Sequence, residues 1–445
     1  MATREDREPR TVLEHLIRQK DRTYEEAAAD FMATARSLNE RVTISPRHLA
    51  RLARGERGGM GTTPATRRVL QQMFGLPAPE LLQPWINAGG PRDPLPDAQS
   101  RETAWCRPGD ERRLLTMAAK RARRFTLTAG QAGATAEVIE QLREDMRHLA
   151  VTYQQRPLVE ILSEMIEAQE TVFNLLEHRQ PPQQARELYL LGAVIGGVLA
   201  KASHDMADSH AAMTQARTAF ICADNADHNG ARAWLRGIQS LIAYWAGRHR
   251  DAIRYAVSGN EYAVNSRNTT MVWLPMSEAR AWAALGNRDQ TWNAVRRAEE
   301  ARHDVRADEI DELGGLCTFS SARQLYYAAD AFSWLPEESA ATERYSAQAV
   351  TAYQDDTRPE WAFGDQAGSH TALAIAHVRN AETEGAIEAV APVLDLGSEQ
   401  RIHGIVHSTL RLHRAVIDAR LAEDARELLD RIEEFTRTPA SALTR

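Results

Sequence analysis

Cysteine is scarce in this chain of 445 residues, and long hydrophobic runs are absent. The three cysteines, Cys106, Cys222 and Cys317, lie far apart and form no Cys-x-x-Cys or Cys/His ligand spacing, which argues against a zinc site and a disulfide framework. We expect free thiols, as in a reducing compartment. No run approaches the ~20 apolar residues of a membrane span, and the N-terminal segment lacks the apolar core of a signal peptide. These absences predict a cytoplasmic protein without membrane contact.

Sequence motifs of catalytic chemistry are missing as well. The glycine-rich segment 58–61 has no Walker lysine after it, and no Gly-x-Ser-x-Gly elbow occurs. The two histidines within 204–210 do not converge at helical spacing, so no metal site is expected there, although Asp205 and Asp208 are placed to pair. The acidic residues within 308–312 are expected to be solvated in a loop. We therefore predict that the chain is not an enzyme and holds neither a metal nor another cofactor.

Charge is distributed unevenly along the chain. The net charge is −7, but residues 1–125 carry 23 basic and 16 acidic side chains, whereas the remainder carries 31 and 45. A basic head on an acidic body indicates that only the head meets a polyanion.

The sequence of residues 43–55 predicts one short helix, with residues typical of a helix start and of a helix end. Ser45 is a good N-cap, Pro46 suits the first helical position, and Gly55 can adopt the left-handed conformation that ends the helix. The apolar face is formed at helical spacing by Leu49, Leu52 and Ala53.

The opposite face of this helix is lined by arginine. Arg47, Arg51 and Arg54 are spaced i, i+4, i+7, and His48 lies beside them. From residue 41 to residue 68 there are seven arginines and one acid. A helix packed on one side and arginine-lined on the other suits a reader of the DNA major groove. The alternative is a solvated basic surface helix.

Neighbouring segments complete a helix-turn-helix layout. Periodicity predicts helices over 11–20, 24–38 and 64–74, with a further turn or two over 79–85, and Thr23 with Glu26 forms a capping box for the second helix. The spacing resembles the Cro/C1-type helix-turn-helix of actinobacterial regulators, through Ala27, Phe31, Leu49, Leu52, Gly55 and the motif Arg-Val-Leu-x-x-x-Phe-Gly over 68–75. The resemblance implies that bases are faced by Arg47, His48 and Arg51, and phosphates by Arg54 and Arg57. The candidate DNA-contacting residues are Ser45, Arg47, His48, Arg51, Arg54 and Arg57.

Residues from 131 onward predict helix after helix, and no strand is convincing. Helices are expected near 134–153, 157–178, 182–205, 208–224, 228–246, 249–265, 270–285, 288–303, 318–335, 338–355, 365–380, 383–395, 402–421 and 423–437. A turn containing Gly247 returns at Gly286, 39 residues later, with further versions near 379–386 and 420–425. The pattern resembles degenerate tetratricopeptide repeats, which implies stacked helix pairs with a concave face.

Aromatic side chains concentrate between residues 234 and 361, where they either pack between helices or help to hold a ligand. The candidate ligand-binding residues are Gln239, Trp273, Arg280, Arg323, Tyr326, Asp330 and Asp365.

Taken together, these patterns predict an all-α chain. We expect a helix-turn-helix DNA-binding domain over 1–86, a linker with a basic helix over 87–130, and a tetratricopeptide-like α-solenoid over 131–445. The predicted function is a transcriptional regulator that binds double-stranded DNA as a homodimer, since one short helix covers few base pairs. The repeat domain would dimerise and sense a peptide or small molecule; the resemblance extends to peptide-sensing regulators of Gram-positive bacteria. The alternative is an interaction scaffold whose head does not read DNA.

Overall fold

The computed structural model describes residues 10–19, 22–38, 40, 42–54, 63–74, 81–83 and 134–440. These residues contain eighteen α-helices and no β-strand, which confirms the all-α prediction. Contacts divide the chain into two compact units, Met1–Arg107 and Pro108–Arg445. The predicted linker and its basic helix lie outside the described residues. Among the described helices, none combines a bilayer-spanning length with the hydrophobicity that lipid requires.

The first unit is a small cluster of short helices: α1 (Val12–Gln19), α2 (Tyr24–Ser37), α3 (Pro46–Ala53) and α4 (Pro64–Phe74). Helix α2 packs against α3 and α4, and α1 packs against α3. The capping box predicted for α2 is present, since Thr23 accepts from the Glu26 amide and the Glu26 carboxylate accepts from the Thr23 amide. The core of this unit comprises Leu13, Ile17, Ala27, Ala28, Phe31, Ala35, Ile44, Leu49, Leu52, Ala53, Val69, Leu70 and Leu81.

The second unit contains fourteen helices within the described residues, and each of the helices predicted from 131 onward is found within three residues of its expected ends. They are α5 (Ala136–Gln155), α6 (Leu158–Glu177), α7 (Pro182–Asp205), α8 (Ser209–Asn225), α9 (Asn229–Trp245), α10 (His249–Ser266), α11 (Thr270–Ala284), α12 (Arg288–Arg302), α13 (Ser321–Phe332), α14 (Ser339–Ala352), α15 (Phe363–Arg379), α16 (Thr383–Leu394), α17 (His403–Asp418) and α18 (Arg426–Arg437).

These helices are arranged in two layers. Each odd-numbered helix from α5 to α17 packs against the even-numbered helix that follows it, and each from α5 to α15 also packs against the next odd-numbered helix. The odd-numbered helices therefore form one continuous layer, and the even-numbered helices lie against it. Alanine is frequent where helices meet, for example Ala219, Ala252 and Ala294, and small side chains allow close approach of the backbones.

Most helix pairs are joined by the same tight turn. One residue in each turn has a positive φ: Ala207, Gly247, Gly286, Ala381 and Arg420. At Gly247 and Gly286, φ is 71° and 72°, and the next residue's amide bonds back to a carbonyl five residues earlier. This hydrogen bonding closes the preceding helix in the manner of a Schellman motif. The two glycines that suggested a sequence repeat thus occupy equivalent backbone positions.

The odd-numbered layer closes on itself at an irregular segment between α12 and α13. Helix α5 packs against the short 3₁₀ turn Gly315–Cys317, and a Cβ at Gly315 would overlap the Ala150 carbonyl. The indole N–H of Trp234 donates to the Leu316 carbonyl at 3.3 Å. Further contacts join α5 to α15 and α7 to α17. The interior face of the layer is therefore largely filled by contacts between helices distant in sequence.

Two of the four acidic residues in this region depart from the prediction of a solvated loop, whereas Glu309 and Glu312 are exposed as expected. Asp311 is only 7% exposed and accepts from the amide and hydroxyl of Thr269. Asp308 is half-buried and accepts from the Asn268 side chain and from two backbone amides. These carboxylates organise the backbone of the segment because they satisfy buried donors there.

The expected pairing of Asp205 with Asp208 is also wrong. Asp205 is buried and bonds to Lys201 and Tyr153, whereas Asp208 caps α8 through the Ala211 amide.

Candidate functional site

Helix α3 has the start and the packed face that its sequence predicts. The Ser45 hydroxyl accepts from the His48 amide at 3.2 Å, and Pro46 is the first helical residue. Leu49, Leu52 and Ala53 are fully buried against the other helices of the first unit. The Thr11 hydroxyl donates to the Ala53 carbonyl at 2.5 Å, which fixes the last turn of α3 to the start of α1.

The other face of α3 presents Arg47, Arg51 and Arg54, all exposed. From Arg47 to Arg54 the helix rises by about 10 Å, a distance comparable to three base-pair steps of DNA. His48 is half-buried, and its Nε2 has no hydrogen-bond partner among the described residues. Arg57 and Gly55, the residue predicted to end the helix, lie outside the described residues. The face can donate many hydrogen bonds to an acceptor-rich surface.

A first cavity lies on the interior face of the odd-numbered layer and has a volume of about 70 Å³. Of the residues predicted to bind a ligand, Trp273, Arg323 and Asp365 line it. Arg323 Nε donates to Asp365 Oδ2 at 2.6 Å, and the same carboxylate oxygen accepts from the Tyr353 hydroxyl at 3.1 Å. Burial opposes the charge on Arg323, but Asp365 outweighs it and raises the Arg323 pKa. Since the space holds only about five water molecules, this cavity has little room for a ligand.

A second cavity of about 550 Å³ lies where α7 and α9 end and α17 crosses them. We call it the histidine–arginine cavity, and its polar and aromatic lining comprises His204, Tyr244, Trp245, His249, Trp334, His403, His407, Arg411 and Arg414. No aspartate or glutamate is among the described residues that line it. Its volume falls within the range of small-molecule sites, about 300–1,000 Å³.

The imidazoles of this cavity form a chain of ring contacts. His204 and His403 meet edge to face with centroids 5.3 Å apart, and the His403 and His407 rings are 4.3 Å apart. Burial, complete for His204 and partial for His403 and His407, lowers the pKa of each of these three histidines, and neighbouring positive charges lower it further, with Arg411 acting on His407. The rings are therefore neutral at pH 7, and the positive charge of the lining is carried by Arg411 and Arg414.

A buried ionic network forms the wall behind the cavity, with Asp330 at its centre. Arg280 Nε donates to Asp330 Oδ2 at 2.6 Å, and Arg411 Nη2 donates to Oδ1 at 2.9 Å. The Tyr244 hydroxyl donates to Oδ2 at 3.0 Å. Burial works against ionisation of Asp330, but Arg280 and Arg411 outweigh it and lower its pKa. The network joins α9, α11, α13 and α17.

The remaining candidates are buried between the helices. Tyr326 lies near the Arg280 guanidinium, whose carbon is 5.8 Å from the centre of the tyrosine ring. The Gln239 side chain accepts from Arg236 at 2.8 Å. Arg280, Tyr326, Asp330 and Gln239 are not among the residues that line either cavity. Arg280 and Asp330 nevertheless contact two residues of the histidine–arginine cavity, Tyr244 and Arg411.

Sequence reasoning missed the contribution of α17 to this site. His403, His407, Arg411 and Arg414 follow one another at intervals of four, four and three residues, and so form one polar stripe along a helix. That stripe can be recognised in the sequence, but the end of α7 that lines the cavity with it lies about two hundred residues earlier in the chain.

Comparisons with known proteins do not assign the chain to a family. No protein-family model matches it, and no curated protein is significantly similar to it. Within the described part of the chain, no group of three or more His, Cys, Asp or Glu side chains is arranged to hold a metal ion.

Proposed function

We propose that this protein is a DNA-binding transcriptional regulator. The observation that carries the proposal is α3, a capped helix that buries its apolar face and exposes three aligned arginines. Arginine recognises guanine through two hydrogen bonds and also pairs with phosphate. In this proposal Arg47, His48 and Arg51 contact bases, Arg54 and Arg57 contact phosphate, and Ser45 holds the start of the helix at the groove.

The second unit is proposed to act as a tetratricopeptide-like sensing and dimerisation domain. Its paired helices and recurrent left-handed turns favour a repeat architecture. A homodimer would place two α3 helices on a two-fold operator and double the recognised sequence. An effector changes DNA affinity only if it binds the DNA-competent and the incompetent states differently.

The DNA-binding proposal is tested with fluorescent fragments of the protein's own promoter region in a titration by anisotropy. Arg47→Ala and Arg51→Ala are each expected to weaken specific binding by about 1–3 kcal/mol, which is roughly 5- to 150-fold. Arg217→Ala removes one exposed charge from α8 in the second unit and serves as the matched control, with unchanged affinity.

Raising the salt concentration should weaken binding steeply, because phosphate contacts release counterions. If both α3 variants keep wild-type affinity for a fragment that the protein binds specifically, α3 is not the reading helix. If the wild type binds no promoter fragment more tightly than random DNA, the interaction-scaffold alternative replaces this proposal.

Light scattering tests the dimer separately, free and on DNA. The expected mass is that of two chains in both states, and a monomer in both would reject this part of the proposal.

A further inference from the structure

We infer that the histidine–arginine cavity is a binding site for a small aromatic carboxylate. The inference goes beyond the proposed regulatory function, because it concerns binding by the free protein and holds whether or not α3 reads DNA.

The cavity is large enough for such a molecule and open to solvent. Its volume of about 550 Å³ is several times that of the first cavity, which has about 70 Å³. His407, Leu410 and Arg414 are exposed at its rim, so a ligand has an entrance beside α17. Leu410 is also one of the chain's exposed large hydrophobic side chains, 42% exposed, and a bound ring would cover it.

The charge of the lining selects an anion. Arg414 forms no ion pair with the described residues, and Arg411 shares the single Asp330 carboxylate with Arg280. The three guanidinium groups and one carboxylate leave two positive charges uncompensated at this wall. The partial negative charge at the C-terminal ends of α7 and α9 offsets these two positive charges only in part, because the last carbonyls of both helices already accept hydrogen bonds from the turns that follow.

Two donors in the wall, Arg280 Nη2 and Arg411 Nε, lack an acceptor among the described residues, and of these two arginines only Arg411 lines the cavity. Arg411 Nε is buried and has no hydrogen-bond partner among the described residues, although Nη2 of the same side chain bonds to Asp330 and Ser333. A buried charged donor without an acceptor is unfavourable. The Nε atom is covered in the structure, so a carboxylate in the cavity reaches it only when the Arg411 side chain shifts; a carboxylate oxygen is the acceptor that a guanidinium pairs with best.

Much of the remaining lining is aromatic. The His249 and Trp334 rings are 5.9 Å apart, and the Trp245 and His407 rings are 6.3 Å apart. The Trp334 N–H already donates to the Tyr244 hydroxyl at 2.7 Å, so this side chain offers its apolar ring rather than a polar group. Such rings pack edge to face or offset against a planar aromatic ligand. The neutral imidazoles can in addition donate or accept single hydrogen bonds.

The test uses the full chain without DNA and three acid–amide pairs of increasing size: benzoate and benzamide, indole-3-acetate and indole-3-acetamide, 2-naphthoate and 2-naphthamide. Calorimetry measures the dissociation constants, and tryptamine serves as a cationic probe of similar shape. We expect at least one acid to bind more than tenfold more tightly than its amide, because the pairing is charge-assisted, and tryptamine to bind more weakly than either indole compound. Equal affinities within every pair, or no binding by any acid, would overturn the inference.

Two arginine variants locate the site. Arg414→Gln is expected to weaken the best acid at least fivefold while leaving its amide unchanged. The control is Arg426→Gln, which should keep wild-type affinity. Arg426 is also exposed and lies on the neighbouring α18, but it does not line the cavity. Equal effects of the two substitutions would place the acid elsewhere and refute the assignment.

A spectroscopic variant supplies a second readout. Binding should quench tryptophan fluorescence, and Trp245→Phe, which keeps an aromatic ring in the wall, should remove much of that quenching. Unchanged quenching in both Trp245→Phe and Trp334→Phe would mean that the acid binds outside this cavity. None of these measurements involves DNA, so their outcome is separate from that of the promoter titration.

Discussion

Replacing Asp330 by asparagine should strongly destabilise the second unit. The substitution keeps the shape of the side chain and removes its charge. In the native structure this carboxylate is 2% exposed and is the ion-pair partner of both Arg280 and Arg411. Without it, two guanidinium groups lose their counter-charge in a region with little access to water.

The expected magnitude follows from the burial of the two arginines. The Arg280 side chain is 3% exposed, and the Arg411 side chain is 12% exposed. Removing one partner of a buried ion pair costs about 3–5 kcal/mol, mostly because the other charge is left uncompensated. Arg411 can regain some hydration from the histidine–arginine cavity, so most of the loss should come from Arg280. We expect about 3 kcal/mol for Asp330→Asn.

The effect is measured by urea unfolding. The unfolding is monitored both by circular dichroism and by tryptophan fluorescence, to confirm that one transition is observed. Asp395→Asn is the matched control, because Asp395 is 72% exposed in its ion pair with Arg431, and such surface pairs contribute about 0–1 kcal/mol. In an Arg280→Met background, Asp330→Asn should cost at least about 1 kcal/mol less than in the wild type, since the two residues are in contact.

The pH dependence has a definite sign. The pKa of Asp330 is lowered in the folded state, so its contribution is present above the unfolded pKa near ~4 and is lost as the pH falls through the folded value. The difference between wild type and Asp330→Asn should therefore be constant above about pH 5 and shrink in stronger acid. If Asp330→Asn costs no more than Asp395→Asn at pH 7, the network is solvated and the reasoning fails.

Four further substitutions test other parts of the structure. Burial raises the pKa of Asp311 to about 6, so the folded chain binds a proton at this carboxyl group more tightly than the unfolded chain does. In urea unfolding, the stability of the wild type relative to Asp311→Asn should therefore fall by about 2–3 kcal/mol between pH 4 and pH 7. A stability difference that does not change with pH would contradict the burial of Asp311. Gly197→Ala should cost about 3 kcal/mol in the same assay, because the new methyl overlaps the buried Trp234 ring. Gly247→Ala should cost only about 1 kcal/mol, because the new methyl group enters open space and the only penalty is the positive φ of 71°. A larger loss of stability for Gly247→Ala than for Gly197→Ala would refute the close packing of Gly197 against Trp234. Ser45→Ala removes the cap of α3 at a cost of about 1 kcal/mol, seen as roughly fivefold faster amide hydrogen exchange in that helix; unchanged exchange would show that the cap does not hold it.

The parts of the structure that were predictable from sequence depend on local signals. The start of α3 was predicted from Ser45 and Pro46, and the hairpin turns from Gly247 and Gly286, because caps and left-handed positions restrict the residues that occupy them. Ala207, Ala381 and Arg420 adopt the same left-handed conformation although their side chains disfavour it, so residue type alone does not mark these positions. The turns near 379–386 and 420–425 were predicted instead from their similarity to the two glycine turns.

The candidate sites were harder to predict because they are assembled from distant segments. Asp311 was expected to be solvated, as most aspartates are, but the fold brings Thr269 to it as a hydrogen-bond partner. The histidine–arginine cavity requires the end of α9 to meet α17, and no sequence pattern states which helix covers which. Arg280 and Asp330 were predicted as separate ligand contacts, whereas the structure pairs them with each other.

The closure of the odd-numbered layer on itself bears on how the second unit unfolds. In an open stack of helix pairs, each pair contacts only its neighbours, so the ends fray and unfolding spreads stepwise along the array. Here Tyr244 and Arg411 meet across 167 residues of sequence, and α5 is held by Gly315–Cys317. Loss of either terminal pair would uncover contacts made by the middle of the chain. The unit should therefore lose its structure in one concerted transition, and its folding should be slower than that of an open array of equal length, because distant segments must meet before the layer is complete.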